Sequence, residues 1–425
     1  MSSPIVSRPL RAWIALPFAS LGACLGASLI AFGALAAEPK SELADLLALA
    51  RRMNPDIAAM RLDADAAGAR IDVAGALDDP KLKIELTSPR DDFGRVSSEL
   101  YEIRQMLPFW GKRALKREVA EWEARKAYAS ARDIENQVVW RAKVAYAEYH
   151  TAHLALDETK KLAGTLKRLT DIARARYAEN AAPQSDVTGA ASEAGALASE
   201  LSRIAADKAG AAARLNRLLG RAADTPLAAK PAARPIPPLK TLRTDDLIAR
   251  AKAGSPAIDV GLAGVGAADG ARRLAERNWL PDVELGLGAM RENGRFESYQ
   301  VMVEFSLPLQ WGAKRAEQQE AAAMVVSART RLDALRLDID ADLRTARADL
   351  DALVARQRVI AGTTLPQARI ALDTAVKGYG LGRGDFPAVL GAEQALRRAI
   401  IESITTTYEE QVALATIERI VGEDL

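Results

Sequence analysis

The sequence predicts a mainly α-helical fold with a small β portion, built twice from one helix–strand–strand–helix–helix unit. Three observations predict it. QMLPFWGKRALKRE at 105–118 and FSLPLQWGAKRAEQQE at 305–320 make the same change, from a half-apolar run through Leu-Pro and Trp-Gly into a charged, Ala-rich run. Four short stretches alternate apolar and polar residues, the period of a half-buried strand. Residues 112–178 contain no Pro and a single Gly, Gly164, the profile of one long helix.

The repetition runs well beyond the two junctions. DLLALARRMNPDIAAMRLDADAAGARIDVAGALDDPKLKIEL from Asp45 aligns with DLIARAKAGSPAIDVGLAGVGAADGARRLAERNWLPDVELGL from Asp246. Pro55 meets Pro256, Pro80 meets Pro281 and Trp110-Gly111 meets Trp311-Gly312, all at an offset of 201. Farther on, Tyr177 meets Tyr379 and Val187 meets Val389 at 202. A unit of about 200 residues is too long for a solenoid and reads as a duplicated domain. The copies are placed at 37–220 and 244–425. The linker between them, 221–243, carries Pro226, Pro231, Pro235, Pro237 and Pro238 and is expected to be extended and semi-rigid.

Residues 1–36 read as an export signal. Arg8 and Arg11 precede a long uncharged stretch that ends in Ala34-Leu35-Ala36. The apolar core is longer than usual for a signal, so a retained membrane anchor is the other reading. Cys24, the only cysteine, lies inside that core. Its LGAC context weakly resembles a lipidation box, against the plainer reading of a small apolar residue within the signal. Cleavage after Ala36 would leave no cysteine and no disulfide.

The first copy then opens with a helix over 41–77, broken at Asn54-Pro55, followed by strands at about 81–89 and 98–107 and helices at about 112–178 and 185–219. Leu82, Ile84 and Leu86 face away from Lys81, Lys83, Glu85 and Thr87; Tyr101 and Ile103 face away from Glu102 and Arg104. The second copy repeats the order, with strands at about 281–290 and 299–307 and helices at about 313–378 and 386–421. Val283, Leu285 and Leu287 oppose Glu284, Gly286 and Gly288, and Val301, Val303 and Phe305 oppose Gln300, Met302 and Glu304. A helix over 112–178 would be about 100 Å long at 1.5 Å per residue. Pro366 pairs with Gly164 at offset 202, so a bend shared by both copies is expected.

One hairpin per copy is not stable alone in water, and four strands cannot close a barrel, since the smallest membrane barrels have about eight. Three chains would supply twelve, with the apolar faces toward lipid and the charged faces toward a wet lumen. On this reading Leu-Pro at Pro108 and Pro308 ends a strand at the membrane surface. Trp110 and Trp311 occupy the interface, and Gly111 or Gly312 turns the backbone into the helix. An ordinary strand-to-helix turn in a soluble α+β protein is the alternative.

Other classes are poorly supplied. The net charge is +2, with basic and acidic residues interspersed, and aromatics make up 5%, so neither a nucleic-acid footprint nor a stacking platform is present. No Ser-His-Asp set, metalloprotease helix or Walker loop occurs, GVGAADG at 264–270 has the wrong spacing for a dinucleotide loop, and no enzyme activity or cofactor is expected. His150 and His153 share a helix face with Glu148 nearby. They are weak metal-ligand candidates, because a zinc site wants a third or fourth ligand and two exposed histidines are more simply solvated.

The duplicated pattern resembles the TolC-like outer-membrane efflux family over about residues 40–422. The resemblance rests on LPFWGKR and LPLQWGAKR after the second strand of each copy, ARYAENAAPQSDV and KGYGLGRGDFPAVL at the helical turns, and TTLPQARIALDTA before the second turn. It implies a homotrimer forming a twelve-stranded barrel in outer-membrane lipid, continued by a long α-helical periplasmic barrel. It further implies passive export of substrate, metal ions or drugs among them, delivered by an inner-membrane pump through a periplasmic adaptor. The family's periplasmic iris would fall at the helical turns, near Tyr177, Asp186, Tyr379, Gly382 and Asp385. Ala388 and Gly391 stand where some members carry acids, which departs from an aspartate-ring filter. A periplasmic adaptor-like structural protein, with long hairpins and no pore, is the competing class.

Overall fold

A computed structural model of the chain describes residues 43–88, 96–292 and 294–425. The expected signal, Cys24 and the last residue of the first expected strand lie outside them. In chain order the elements are α1 (Leu43–Met53), α2 (Pro55–Gly75), β1 (Lys81–Thr87), β2 (Ser98–Leu107), α3 (Lys112–Ala178), α4 (Gln184–Leu218), α5 (Thr244–Gly254), α6 (Pro256–Arg277), β3 (Asp282–Glu292), β4 (Arg295–Ser306), α7 (Trp311–Val359), α8 (Leu365–Gly380) and α9 (Phe386–Val421). A short 3-10 turn, Leu239–Thr241, precedes α5, and a π turn, Ile360–Thr364, separates α7 from α8.

The helical breaks have local causes. Asn54 caps α2, its side chain accepting from the N–H groups of Asp56 and Ile57, with Pro55 in the first helical position where its missing N–H costs nothing. Helix α3 runs 67 residues through Gly164 without interruption. The expected shared bend is therefore a break in the second copy only. There Pro366 follows the π turn, because proline removes a donor and clashes with the preceding turn. Glycine costs only about 1 kcal/mol and keeps its hydrogen bond.

The four strands form one antiparallel sheet in the order β1-β2-β3-β4, and the central β2–β3 pairing joins the two copies, with Ile103 opposite Leu287. The β3–β4 hairpin turns between the paired Glu292 and Arg295, with Gly294 at φ 85°. Asn-Gly between alternating runs is a strong two-residue hairpin signal. It starts β4 at Arg295 rather than at about 299.

Each copy builds a similar core where the middle of its longest helix, α3 or α7, meets the end of its last, α4 or α9. Leu46, Leu47, Ala50, Ile57, Val138, Ala142, Leu215 and Leu218 cluster in the first. Leu247, Ile248, Ala251, Ile258, Ile339, Leu343, Ile417 and Ile420, each 201 or 202 residues later, cluster in the second. Gly220 and Gly422 end α4 and α9 with positive φ, 66° and 90°, the conformation only glycine adopts freely. A third core, far from the sheet, is shared: Leu166, Leu169, Ala173 and Leu197 pack with Leu372, Tyr379, Phe386, Val389 and Leu396.

The Pro-rich linker is tied to the middle of α3 and the last third of α9. Tyr146 and Tyr149 donate their hydroxyls to the carbonyls of Ala232 and Ala228 at 2.8 and 2.9 Å, and Gln411 donates to Arg234 O at 3.0 Å. Below it, Lys143 pairs with Glu418 at 2.7 Å, and Arg234 and Asp424 complete the cluster.

Candidate functional site

Two regions gather the candidate residues: the sheet, and the hairpin ends some 100 Å along α3 from it. On the sheet the register places the apolar residues in continuous cross-strand rows. Leu82, Ile103, Leu287 and Val301 form one row, and Ile84, Tyr101, Ala289 and Tyr299 another. Leu285 stands beside Val303, Val283 beside Phe305, and Leu86 lies at the β1 end of the same face. The face is open, Val301 being 76% exposed. Eleven candidates thus share one uncovered side.

The other side is charged. It carries Lys81, Lys83, Glu85, Glu102, Arg104, Glu284 and Glu304. Glu102 is buried against Arg104 at 2.7 Å. Glycine makes this possible: a Cβ on Gly286 would stand 3.0 Å from the Glu102 carboxylate, and one on Gly288 2.9 Å from Gln300. Glu284 faces Glu304 directly across the β3–β4 pair, an arrangement that destabilises a sheet unless water or counter-charge reaches it.

The two strand-to-helix junctions differ. At the first, Pro108 follows β2, Trp110 is 91% exposed, and Gly111 turns the chain with φ 89°. Asp282 at the start of β3 accepts from Phe109 N–H at 2.8 Å and from the buried Lys112 ammonium at 2.9 Å, clasping one copy to the other. At the second junction Pro308 follows β4, but Trp311 and Gly312 lie inside the first turn of α7, and Gly312 does not have positive φ. One extra residue, Gln310, separates Pro308 from the tryptophan. Successive tight contacts, Leu309 N–H to Leu307 O and Trp311 N–H to Leu309 O, make the turn instead. Gly312 is thus not the turning residue.

At the hairpin ends, α3–α4 and α8–α9 close by the same turn. Asn180 (φ 57°) and Gly382 (φ 74°) take the left-handed position. Ala181 N–H donates to Arg176 O as Arg383 N–H donates to Gly378 O, the bonding of a Schellman cap. Gly384 lacks positive φ, yet a Cβ there would lie 3.3 Å from Tyr379 N. Gly382→Val is expected to destabilise the tip by about 1–2 kcal/mol, whereas Asn180→Gly stays near wild type. Thermal unfolding followed with a probe at the hairpin end checks both.

Tyr379 is the centre of the tip. It is 1% exposed, meets Phe386 edge-on at 5.9 Å, and donates its hydroxyl to Asp186 in the first turn of α4 at 2.9 Å. Burial and the Asp186 carboxylate push its pKa up to about 12. Arg176 stacks over the ring at 4.5 Å and donates to the carbonyls of Tyr379 and Ala181 at 2.7 and 2.9 Å. Tyr177, the partner of Tyr379 in the first copy, is 47% exposed. The position matching Asp186 is Ala388, so no carboxylate awaits its hydroxyl. Asp385 caps α9 by accepting from Ala388 N–H at 3.1 Å. Arg176 and Phe386 escaped sequence reading because arginine at a helix end and an aromatic after a turn are common.

His150 is buried, and His153 lies 3.0 Å from the Lys208 ammonium. Burial lowers the pKa of both. Among the described residues no group of three or more His, Cys, Asp or Glu could hold a metal. Glu410, buried in α9, is pushed up to about 7 by burial. With its folded pKa raised above the ordinary 4.5, its contribution to stability is full below about pH 4.5 and is lost as pH rises through about 7. Glu410→Gln should therefore raise the unfolding midpoint at pH 8 and flatten its fall between pH 5 and 8, which thermal melts across that range would read.

No described helix is long and apolar enough to cross a membrane, which says nothing of strands. The family model described as outer membrane efflux protein matches residues 46–221 and again 247–423. No curated protein matches the chain. Among solved structures, a membrane protein from Pseudomonas aeruginosa superposes with TM-score 0.78 at 20% identity, over 90% of each chain. The outer membrane protein VceC from Vibrio cholerae gives 0.74 at 17%, over 90% of this chain and 96% of that one. The Campylobacter jejuni CmeC outer membrane channel gives 0.75 at 14%, over 89% and 85%. The common fold is that of TolC-like channels.

Proposed function

The chain belongs to the outer membrane efflux protein family, and from that premise we propose that three copies close their sheets into one twelve-stranded pore across the outer membrane. The protein is an efflux channel of that membrane with a periplasmic extension, and a transport component rather than an enzyme. One observation supports trimeric closure above the rest. The four-stranded sheet has two outer edges, β1 and β4, with no partner among the described residues, and an apolar face with no cover. Both needs are met when β4 of one copy pairs with β1 of the next in lipid.

In this reading the channel is passive. An inner-membrane pump and a periplasmic adaptor deliver substrate, metal ions or drugs, to the helical end, and residues 1–36 direct export. The Tyr379–Asp186 bond fastens α8 to α4 at the tip, where an iris would open. Tyr177, Gly382 and Asp385 line the same turn region.

The assembled mass tests the proposal. Protein extracted from outer membranes should require detergent and weigh three copies. A detergent-free monomer in the soluble periplasmic fraction would favour the adaptor-like alternative and overturn the pore.

A further inference from the structure

Beside the first junction lies a groove of about 610 Å³, lined by Leu77, Leu107, Pro108, Phe109, Trp110 and Val283. Leu107 and Val283 are also cross-strand partners in the last row of the apolar sheet face. The groove is therefore continuous with the surface that meets lipid, and it opens where the strand leaves the bilayer. Ala114 and Arg113, from the first turn of α3, complete its wall.

Both signs stand beside the groove: Asp78 and Asp79 follow Leu77 and Asp282 precedes Val283, Asp282 being held by Lys112, while α3 contributes the free cations. The first turn of α3 has no acid, and Arg113, Lys116 and Arg117 are exposed along it. Arg113 spends Nε and Nη2 on the Gly75 carbonyl at 3.1 and 2.7 Å, leaving Nη1 unused. Lys116 makes no hydrogen bond or ion pair among the described residues, while Arg117 pairs with Glu121 at 3.3 Å. At the second junction Lys314 is likewise paired, with Glu317 at 3.0 Å, and Arg315 is exposed. An apolar slot continuous with a lipid-facing sheet, with cations of α3 beside it, suits an acyl chain joined to a headgroup of net negative charge.

We propose that this groove holds an anionic phospholipid of the inner leaflet, with an acyl chain against Trp110 and Val283 and the phosphate at Lys116 and Arg113. The site rests on the membrane seating of the sheet. Arg113 and Lys116 select the headgroup, since each basic residue near an anionic lipid surface is worth about a fivefold gain in affinity.

Native mass spectrometry of the intact assembly in detergent, titrated with phosphatidylglycerol and with phosphatidylcholine of the same acyl chains, tests this. Phosphatidylglycerol should be retained preferentially. Lys116→Gln should weaken its binding about fivefold while unfolding stays at the wild-type midpoint. Ala114→Trp, which fills the groove and leaves the charges, should remove the tightest lipid. Equal retention of both lipids, unmoved by either variant, would mean ordinary boundary lipid and would overturn the site. Insertion into vesicles is scored on the same preparations. Failure to insert contradicts the membrane seating, whereas insertion without lipid preference contradicts the groove alone.

Discussion

Val303→Arg is expected to abolish assembly in the membrane, while Glu304→Arg leaves it near wild type. The two residues are neighbours on β4 and occupy opposite faces of the sheet. Val303 stands beside Leu285 in the exposed apolar rows, and Glu304 faces Glu284 on the charged side. An arginine on the lipid side near mid-bilayer costs about 2–4 kcal/mol, and closure by three copies would incur that cost three times. On the charged side the same arginine is solvated and relieves the repulsion between Glu284 and Glu304. The yield of heat-resistant oligomer in isolated outer membranes measures the contrast. Equal tolerance of the two changes would remove the lipid-facing assignment.

Glu418→Ala is expected to be as damaging by a different route. Glu418 is 2% exposed and accepts from Lys143 at 2.7 Å, from Arg234 and from the Leu425 N–H at 2.9 Å. Lys143 is itself buried and retains only Asp424 when Glu418 is lost. Removing one partner of a buried pair leaves an uncompensated charge and costs about 3–5 kcal/mol. The linker, held partly through Arg234, should become cleavable near Pro231 in limited proteolysis, with a lowered unfolding midpoint. A change under about 1 kcal/mol with an intact linker would show that the cluster is not a structural clasp.

Much of the fold class was legible in the sequence because its signals are periodic and doubled. Alternation at Leu82, Ile84 and Leu86, and again at Val301, Val303 and Phe305, fixes which face is apolar without knowledge of the partner strands. The uninterrupted 112–178 run likewise dictates a long helix. Closing details were less legible because they depend on single residues in tertiary context. Gly111 and Gly312 stand in matching motifs, yet one inserted residue moves the second into the helix. Gly164 and Pro366 align, but only proline forces a break. The partners of Lys112 and of Tyr379 lie 170 and 193 residues away, a distance at which periodicity is silent. The Asn-Gly pair in the sequence is a hairpin signal that the expected strand bounds passed over, and β4 starts earlier than expected, at Arg295.

The fate of the sheet edges decides the account most directly. In one chain β2 and β3 are hydrogen-bonded on both sides, whereas β1 and β4 are bonded on one. Amide hydrogen exchange of the assembled protein, resolved strand by strand, should find the outward amides of Lys81–Thr87 and Arg295–Ser306 as slow as those of the two inner strands. Fast exchange along either edge in the intact assembly would mean that the ring does not close.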